Sequence, residues 1–137
     1  IVGFPGETEK EFNKTISFIK SLPISYLHVF PYSERKNTPA IKFDNKVPEQ
    51  IKRERSKKLR ILSNKLQHRF YKKYLKTEQS ALLEQEKNNG IIHGFTDNYI
   101  KVKLPFNQKI SENKQRIKLL KIDSDGIMQA KLLSPKI

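Results

Sequence analysis

The chain has 137 residues, 36% hydrophobic and 31% charged, which suits one ordinary domain, or a small domain and a piece of another, and argues against a single large core. Its formal net charge of +14 and pI near 10.0 favour polyanionic partners, with nucleic acid ahead of an anionic membrane surface. Zero cysteines exclude a disulfide framework, a thiolate zinc site and iron–sulfur ligation by this chain, and the absence of a long apolar run excludes a membrane-spanning helix, so a cytoplasmic location is expected.

Ile1-Val2-Gly3-Phe4-Pro5-Gly6-Glu7-Thr8 reads as the end of an apolar strand entering a Gly/Pro turn, and a start inside such a strand suggests a piece of a longer protein. Thr8 and Glu11 have the spacing of a capping box, which predicts a helix from about Glu9. Phe12, Ile16 and Ile19 give that helix an apolar face, and Pro23 ends it. Ser25-Tyr26-Leu27-His28-Val29-Phe30 is rich in aromatic and apolar residues and predicts a strand closed by Pro31. Strand, helix, strand is the repeating unit of a parallel α/β sheet or barrel. Residues 31–47 show no period and read as an exposed loop.

Pro48 suits the first position of a helix. From Glu49 to about Tyr74 the residues Ile51, Arg55, Leu59, Leu62, Leu66, Phe70 and Tyr74 fall on one stripe, apolar except at Arg55. The other faces carry Lys52, Arg53, Lys57, Lys58, Arg60, Lys65, Arg69, Lys72 and Lys73, so most of the chain's net charge sits on one long amphipathic basic helix. Short strands follow at Gln79–Leu83, Tyr99–Leu104, Arg116–Ile122 and Ile127–Leu133. They are separated by turn chemistry at Asn88-Asn89-Gly90, Asn107-Gln108 and Asp123-Ser124-Asp125-Gly126. Strands at this spacing predict a small closed or nearly closed barrel.

Three stretches carry candidate chemistry. The glycines of Gly3 to Glu7 permit close backbone approach to a ligand at a strand end, although a tight turn with a capping box accounts for the same residues. The surplus cations of the basic helix suit a phosphate-facing surface as well as a solvated face. His93-Gly94-Phe95-Thr96-Asp97-Asn98-Tyr99-Ile100-Lys101-Val102-Lys103 reads as a Gly-rich loop entering a strand. It interleaves aromatics, amides and lysines as unpaired RNA requires, while Phe95 or Tyr99 suits barrel core equally well. His28, His68 and His93 form no cluster in sequence and predict no metal site.

These residues also carry a family resemblance. The Ile1 to Thr8 run with Phe12, then Leu27-His28-Val29-Phe30-Pro31-Tyr32-Ser33, Arg35, Thr38-Pro39-Ala40 and Arg55-Ser56 with Leu59, resemble the radical S-adenosylmethionine tRNA methylthiotransferases. They are most similar to the group acting on threonylcarbamoyladenosine beside the tRNA anticodon. Gly94-Phe95-Thr96, Asn98-Tyr99 and Val102 resemble that family's terminal TRAM domain, so the likeness covers essentially the whole chain.

The resemblance implies an α/β plus all-β fold. Residues 1–47 would be the last βα units of a partial TIM-type radical barrel, 48–76 a basic linking helix, and 77–137 a small antiparallel TRAM-type, OB-like β-barrel. It implies 4Fe-4S clusters and S-adenosylmethionine in the parent enzyme, whose 5′-deoxyadenosyl radical activates an adenine carbon for methylthio insertion. Gly3, Pro5, Gly6 and Glu7 would belong to the S-adenosylmethionine pocket, with no cofactor expected on this chain alone. The tRNA anticodon stem-loop would meet Arg35, Lys36, Lys57, Lys58, Arg60, Phe95, Asn98, Tyr99, Lys101 and Lys103. An N-terminal part of the same protein would supply the cluster cysteines. The family's usual Pro-Gly before Thr38 is Lys36-Asn37 here, which leaves the conformation of that loop open. The rival expectation is a stand-alone RNA-binding module associated with tRNA or the ribosome.

Overall fold

The computed structural model describes residues 1–88, 90–106 and 114–133, without the side chains of 85–88. The described residues form two compact units, Ile1–Gln67 and His68–Ile137. The first holds α1 (Glu9–Ser21), a short 3-10 turn at Pro39–Lys42 and most of α2 (Glu49–Lys72). The second begins with the last residues of α2 and continues through β1 (Glu78–Asn88), β2 (Ile91–Thr96), β3 (Lys101–Pro105), β4 (Lys114–Ile122) and β5 (Met128–Leu132).

In the first unit α1 starts where its cap predicts, with Thr8 Oγ1 accepting from the Glu11 amide at 3.2 Å. The capping box stays half made, because the Glu11 carboxylate pairs with Lys14 at 3.0 Å. Phe12 is fully buried with Val2 and Leu59, and Ile16, Ile19, Val29 and Leu62 pack around them.

The strand expected over residues 25–30 does not form. The segment is extended, but its sheet pairing is a single parallel bridge, Val2 to Pro31. In that bridge the Val2 amide donates to Phe30 O at 3.0 Å and the Tyr32 amide to Val2 O at 2.7 Å. The chain leaves this bridge at once, turning at Gly3 with φ +80° on one side and passing through Pro31, which has no amide to donate, on the other. Leu27 is held instead by α2, with its amide donating to Ser63 Oγ at 3.0 Å and its carbonyl accepting from that hydroxyl at 3.3 Å.

The second unit is a closed five-stranded barrel in the order β1-β2-β3-β5-β4. The expected antiparallel barrel is corrected at one seam, since β3 and β5 run parallel through Val102↔Met128 and Lys103↔Gln129. An odd number of strands closed in a ring cannot alternate direction throughout, so one parallel pair is unavoidable.

β2 is the strand that sequence patterning missed. Its residues 91–96 alternate between exposed and buried, but Gly94 interrupts the side-chain pattern and reads as a loop. The remaining strands lie within a few residues of expectation, except that β1 runs on to Asn88 past a bulge between Leu83 and Lys87. Ala81, Leu83, Ile92, Ile100, Val102, Leu104, Ile117, Leu119, Met128 and Ala130 fill the interior together with Tyr71 from the last turn of α2. The Asp123 to Gly126 turn forms as expected, with Asp123 N donating to Ile127 O at 3.0 Å. The turns expected at Asn89 and at Asn107-Gln108 lie outside the described residues.

Candidate functional site

The Gly3 to Glu7 turn spends its backbone donors internally. The Gly3 amide donates to Glu7 Oε1 at 2.8 Å, the Gly6 amide to Asn45 O at 2.9 Å and the Glu7 amide to Phe4 O at 3.0 Å. A Cβ on Gly3 would lie 2.3 Å from Lys52 Cγ, so that glycine is required by the approach of α2. Gly6 differs. Nothing stands within 4 Å of a Cβ there, and it lines an open cleft with Glu7, Asn45, Ile51 and Arg55.

Arg55, the odd member of the predicted apolar stripe, ties this turn to α2. Its Nη1 donates to the Glu7 carboxylate at 2.7 Å and to the Glu7 carbonyl at 2.9 Å, Nη2 stands 3.5 Å from Glu9, and the guanidinium lies over the Phe12 ring at 5.3 Å. The residue is 5% exposed, and neither its Nε nor the buried Ser56 hydroxyl has a partner among the described residues. Sequence reasoning carried one signal of this pair, an arginine inside an apolar stripe, without naming its carboxylate.

The loop that follows is stabilised by aromatic edges, with Phe4 at 5.1 Å from Tyr32 and 6.0 Å from Phe43, ring centre to ring centre. Asn37 adopts φ +65°, so the left-handed position that glycine usually fills is taken here by asparagine. Arg35 and Lys36 beside it are exposed. His28 is exposed against Tyr26, and no group of three potential metal ligands occurs among the described residues.

On α2 the buried stripe is broader than expected, taking in Lys52, Arg55, Ser56 and Ser63 with Leu59, Leu66 and Tyr71. Lys57, Lys58 and Arg60 all stand on the exposed side with Arg53, Lys65, Arg69 and Lys72. Lys58 reaches Glu9 at 3.5 Å and the Phe12 ring at 5.9 Å, whereas Lys57 and Arg60 have no ion-pair partner among the described residues.

On the barrel Phe95 is 41% and Tyr99 82% exposed, which removes both from the core. Tyr99 adopts φ +62° at the tip of the β2–β3 turn. Thr96 Oγ1 builds that turn by accepting from Ile100 N at 2.9 Å and donating to Asn98 Oδ1 at 2.5 Å, so the Asn98 amide oxygen is engaged there. The Lys101 amide donates to Tyr71 Oη at 2.9 Å while its side chain is half-buried on the outer face. Lys103 reaches back to Asp123 at 2.8 Å and Asp125 at 2.5 Å, so its ammonium is occupied by two carboxylates of the β4–β5 turn. Hydrogen bonding to Asp123 and then Asp125 raises the Lys103 pKa, and Lys103 in turn holds both carboxyls below the ordinary carboxylate range.

No protein-family model matches the chain. Curated relatives do. The threonylcarbamoyladenosine tRNA methylthiotransferase MtaB of Bacillus subtilis is 40% identical over 126 residues, 88% of this chain and 28% of the relative. The protein of the same name from Aquifex aeolicus is 46% identical over 103 residues, 75% of this chain and 24% of its own length. The tRNA-2-methylthio-N(6)-dimethylallyladenosine synthase of Clostridium tetani is 43% identical over 89 residues, 65% of this chain and 20% of that protein. The chain thus spans about a quarter of the length of the curated relatives it matches.

Proposed function

We propose, from the premise that this chain belongs to the tRNA methylthiotransferase family, that it is the C-terminal, tRNA-gripping part of a methylthiotransferase acting on threonylcarbamoyladenosine beside the anticodon. The observation that carries the tRNA role is the solvent side of α2. There Arg53, Lys57, Arg60, Lys65, Arg69 and Lys72 follow one another at spacings of three to five residues, with almost no carboxylate to neutralise them. Like charges at such spacings destabilise an isolated helix by a few tenths of a kcal/mol per pair, a cost that bound phosphates reverse. The exposed rings of Phe95 and Tyr99 add stacking faces on the barrel. A five-stranded Greek-key barrel of the OB type presents its oligonucleotide face on strands two and three, where both residues stand or turn. Arg35 and Lys36 add exposed cations on the loop of the first unit.

The family's chemistry needs an iron–sulfur cluster, and none of the 137 residues is a cysteine. The donors do not fit that group, so the cluster belongs to other parts of the parent protein and no reaction step is assigned to this chain. For S-adenosylmethionine, the open side of Gly6 above the Glu7 and Arg55 cleft is the part of the turn left available, since the amides of Gly3, Gly6 and Glu7 are already bonded. No helix among the described residues is long and apolar enough to cross a membrane.

Binding of a tRNA anticodon stem-loop, titrated against salt, tests this reading. Each phosphate contact contributes a slope of roughly 0.7–0.9 in log K against log salt, so joint replacement of Lys57, Lys58 and Arg60 by Gln should flatten the slope without changing preference among RNAs. Tyr99→Gly relieves a left-handed tyrosine and should keep or raise the melting temperature, while losing roughly 1–3 kcal/mol of RNA affinity if the ring stacks on a base. An unchanged salt slope would return the helix to a solvated face.

A further inference from the structure

The barrel registers place four outward side chains in one row across four strands. Leu82 on β1 stands opposite Phe95 on β2, Phe95 opposite Lys101 on β3, and Leu82 on its other side opposite Lys114 on β4. Neighbours of Leu82, Phe95 and Lys101 along their strands, Ala81, Leu83, Gly94, Thr96 and Val102, are buried, so the row lies on the outer face. Leu82 is 63% and Phe95 41% exposed. Single exposed apolar residues are ordinary, but two that face each other across a ladder form a continuous patch. This patch is bracketed by an ammonium at each end. With strands about 4.8 Å apart, the row spans roughly 14 Å.

We propose that this Lys114–Leu82–Phe95–Lys101 row is a platform for unpaired RNA, one base lying on Phe95 and Leu82 with the flanking phosphates held by Lys101 and Lys114. It rests on the tRNA-binding reading above and names the part of the RNA bound, a single-stranded stretch crossing the strands.

Charge supports the direction as well as the ligand. Along β1 on the same face, Leu82 is followed by Glu84 and preceded by Ser80 and then Glu78, whose carboxylate pairs with Arg116 at 2.7 Å. A phosphate backbone running along β1 would meet carboxylates. One running across the strands meets lysine at either end. Base faces stack on an aromatic ring whatever the base, while a duplex keeps its bases inside, so the patch discriminates unpaired from paired RNA. Tyr99, two residues before Lys101 in the turn from β2, is 82% exposed.

The test uses the full chain with fluorescent anticodon stem-loop, a short oligouridylate and a blunt RNA duplex. Phe95→Thr and Leu82→Thr keep strand-compatible side chains on an outer face, and a thermal melt confirms that each folds. Both should weaken oligouridylate and stem-loop binding, Phe95→Thr by roughly 5- to 150-fold, with little effect on the duplex. Lys101→Gln with Lys114→Gln should lower the single-strand salt slope by about 1.4 and leave the apolar contribution intact. If wild-type protein binds the stem-loop and folded Thr variants bind it equally well, the platform is wrong while the tRNA reading stands. If wild-type protein binds no RNA, both fall. Equal losses on duplex and single strand would overturn the preference for unpaired RNA. Unchanged RNA binding with weakened self-association on sedimentation would assign the patch to a protein contact and overturn the proposal.

Discussion

Gly94 stands opposite Leu83 in the β1–β2 ladder, and a Cβ there would lie 2.3 Å from the Leu82 carbonyl oxygen and 2.9 Å from Leu83 Cδ2. The neighbour that would have to move is backbone inside a closed barrel. Gly94→Ala should therefore destabilise the second unit by about 1–3 kcal/mol, read as a lower urea midpoint, without altering the exposed cations. A midpoint equal to wild type would show that β1 and β2 can separate at this point without cost. Arg55 works at the same scale in the first unit. Buried against Glu7 and Phe12, it exchanges hydration for two carboxylates and a ring face, which fixes one geometry for the turn.

At the scale of elements, the β4–β5 turn depends on β3. Lys103 hydrogen-bonds Asp123 and Asp125, Gln129 also donates to Asp123 at 2.8 Å, and the Ile127 amide donates to Asp125 at 3.0 Å. Because the folded state lowers both carboxyl pKa values, their contribution is fully present above the ordinary carboxylate range and is lost as pH falls through the lowered values. Because it raises the Lys103 pKa, that contribution is present below the ordinary lysine range and is lost as pH climbs through the raised value. The turn should thus stay clamped between about pH 4 and pH 10 and loosen outside that window. Chemical shifts of residues 123–127 followed against pH check this, and Lys103→Met should abolish the two-ended profile. A wild-type profile flat below pH 4 would sink the clamp. The same contact explains why Lys103, chosen from sequence as a phosphate ligand, faces carboxylates in the folded chain.

At the scale of the molecule, the two units are built on different kinds of contact. The barrel closes every strand edge and buries ten strand and turn side chains around Tyr71. Residues 23–47 of the first unit are held by one parallel bridge, the Leu27–Ser63 hydrogen bonds, a hydrogen bond from the Gly6 amide to Asn45 O, the edges of Phe4 on Tyr32 and Phe43, the Glu34–Lys46 ion pair and a short 3-10 turn, and they leave Tyr26, Phe30 and Phe43 about half exposed. Amide hydrogen exchange should be slow for β1 to β5 and for the middle of α2, and fast for residues 23–47, where local opening breaks few bonds. Equal, slow exchange in both regions of a monomeric sample would contradict that ordering.

What the sequence determined by itself was whatever a short stretch encodes. The Thr8 cap and Pro23 bounded α1, the period from Ile51 to Phe70 announced α2, and Asp123 to Gly126 announced a hairpin turn. Composition excluded cluster ligation, and the Ile1 to Thr8 and Leu27 to Ser33 runs pointed to the family that the relatives then showed. Tertiary structure decided the rest. Pairing partners and burial depend on residues far apart in the chain, which no local period records. β2 became a strand because β1 and β3 flank it, and the ladder approached so closely that only glycine fits at 94. Phe95 turned outward because the alternating positions Ile92, Gly94 and Thr96 face the core, and Tyr99 is exposed at the tip of the turn, at φ +62°. Residues 25–30 are held by one bridge at their end and by Ser63 of α2 instead of a ladder, and Arg55 found Glu7 across 48 residues because α2 packs on the turn that begins α1.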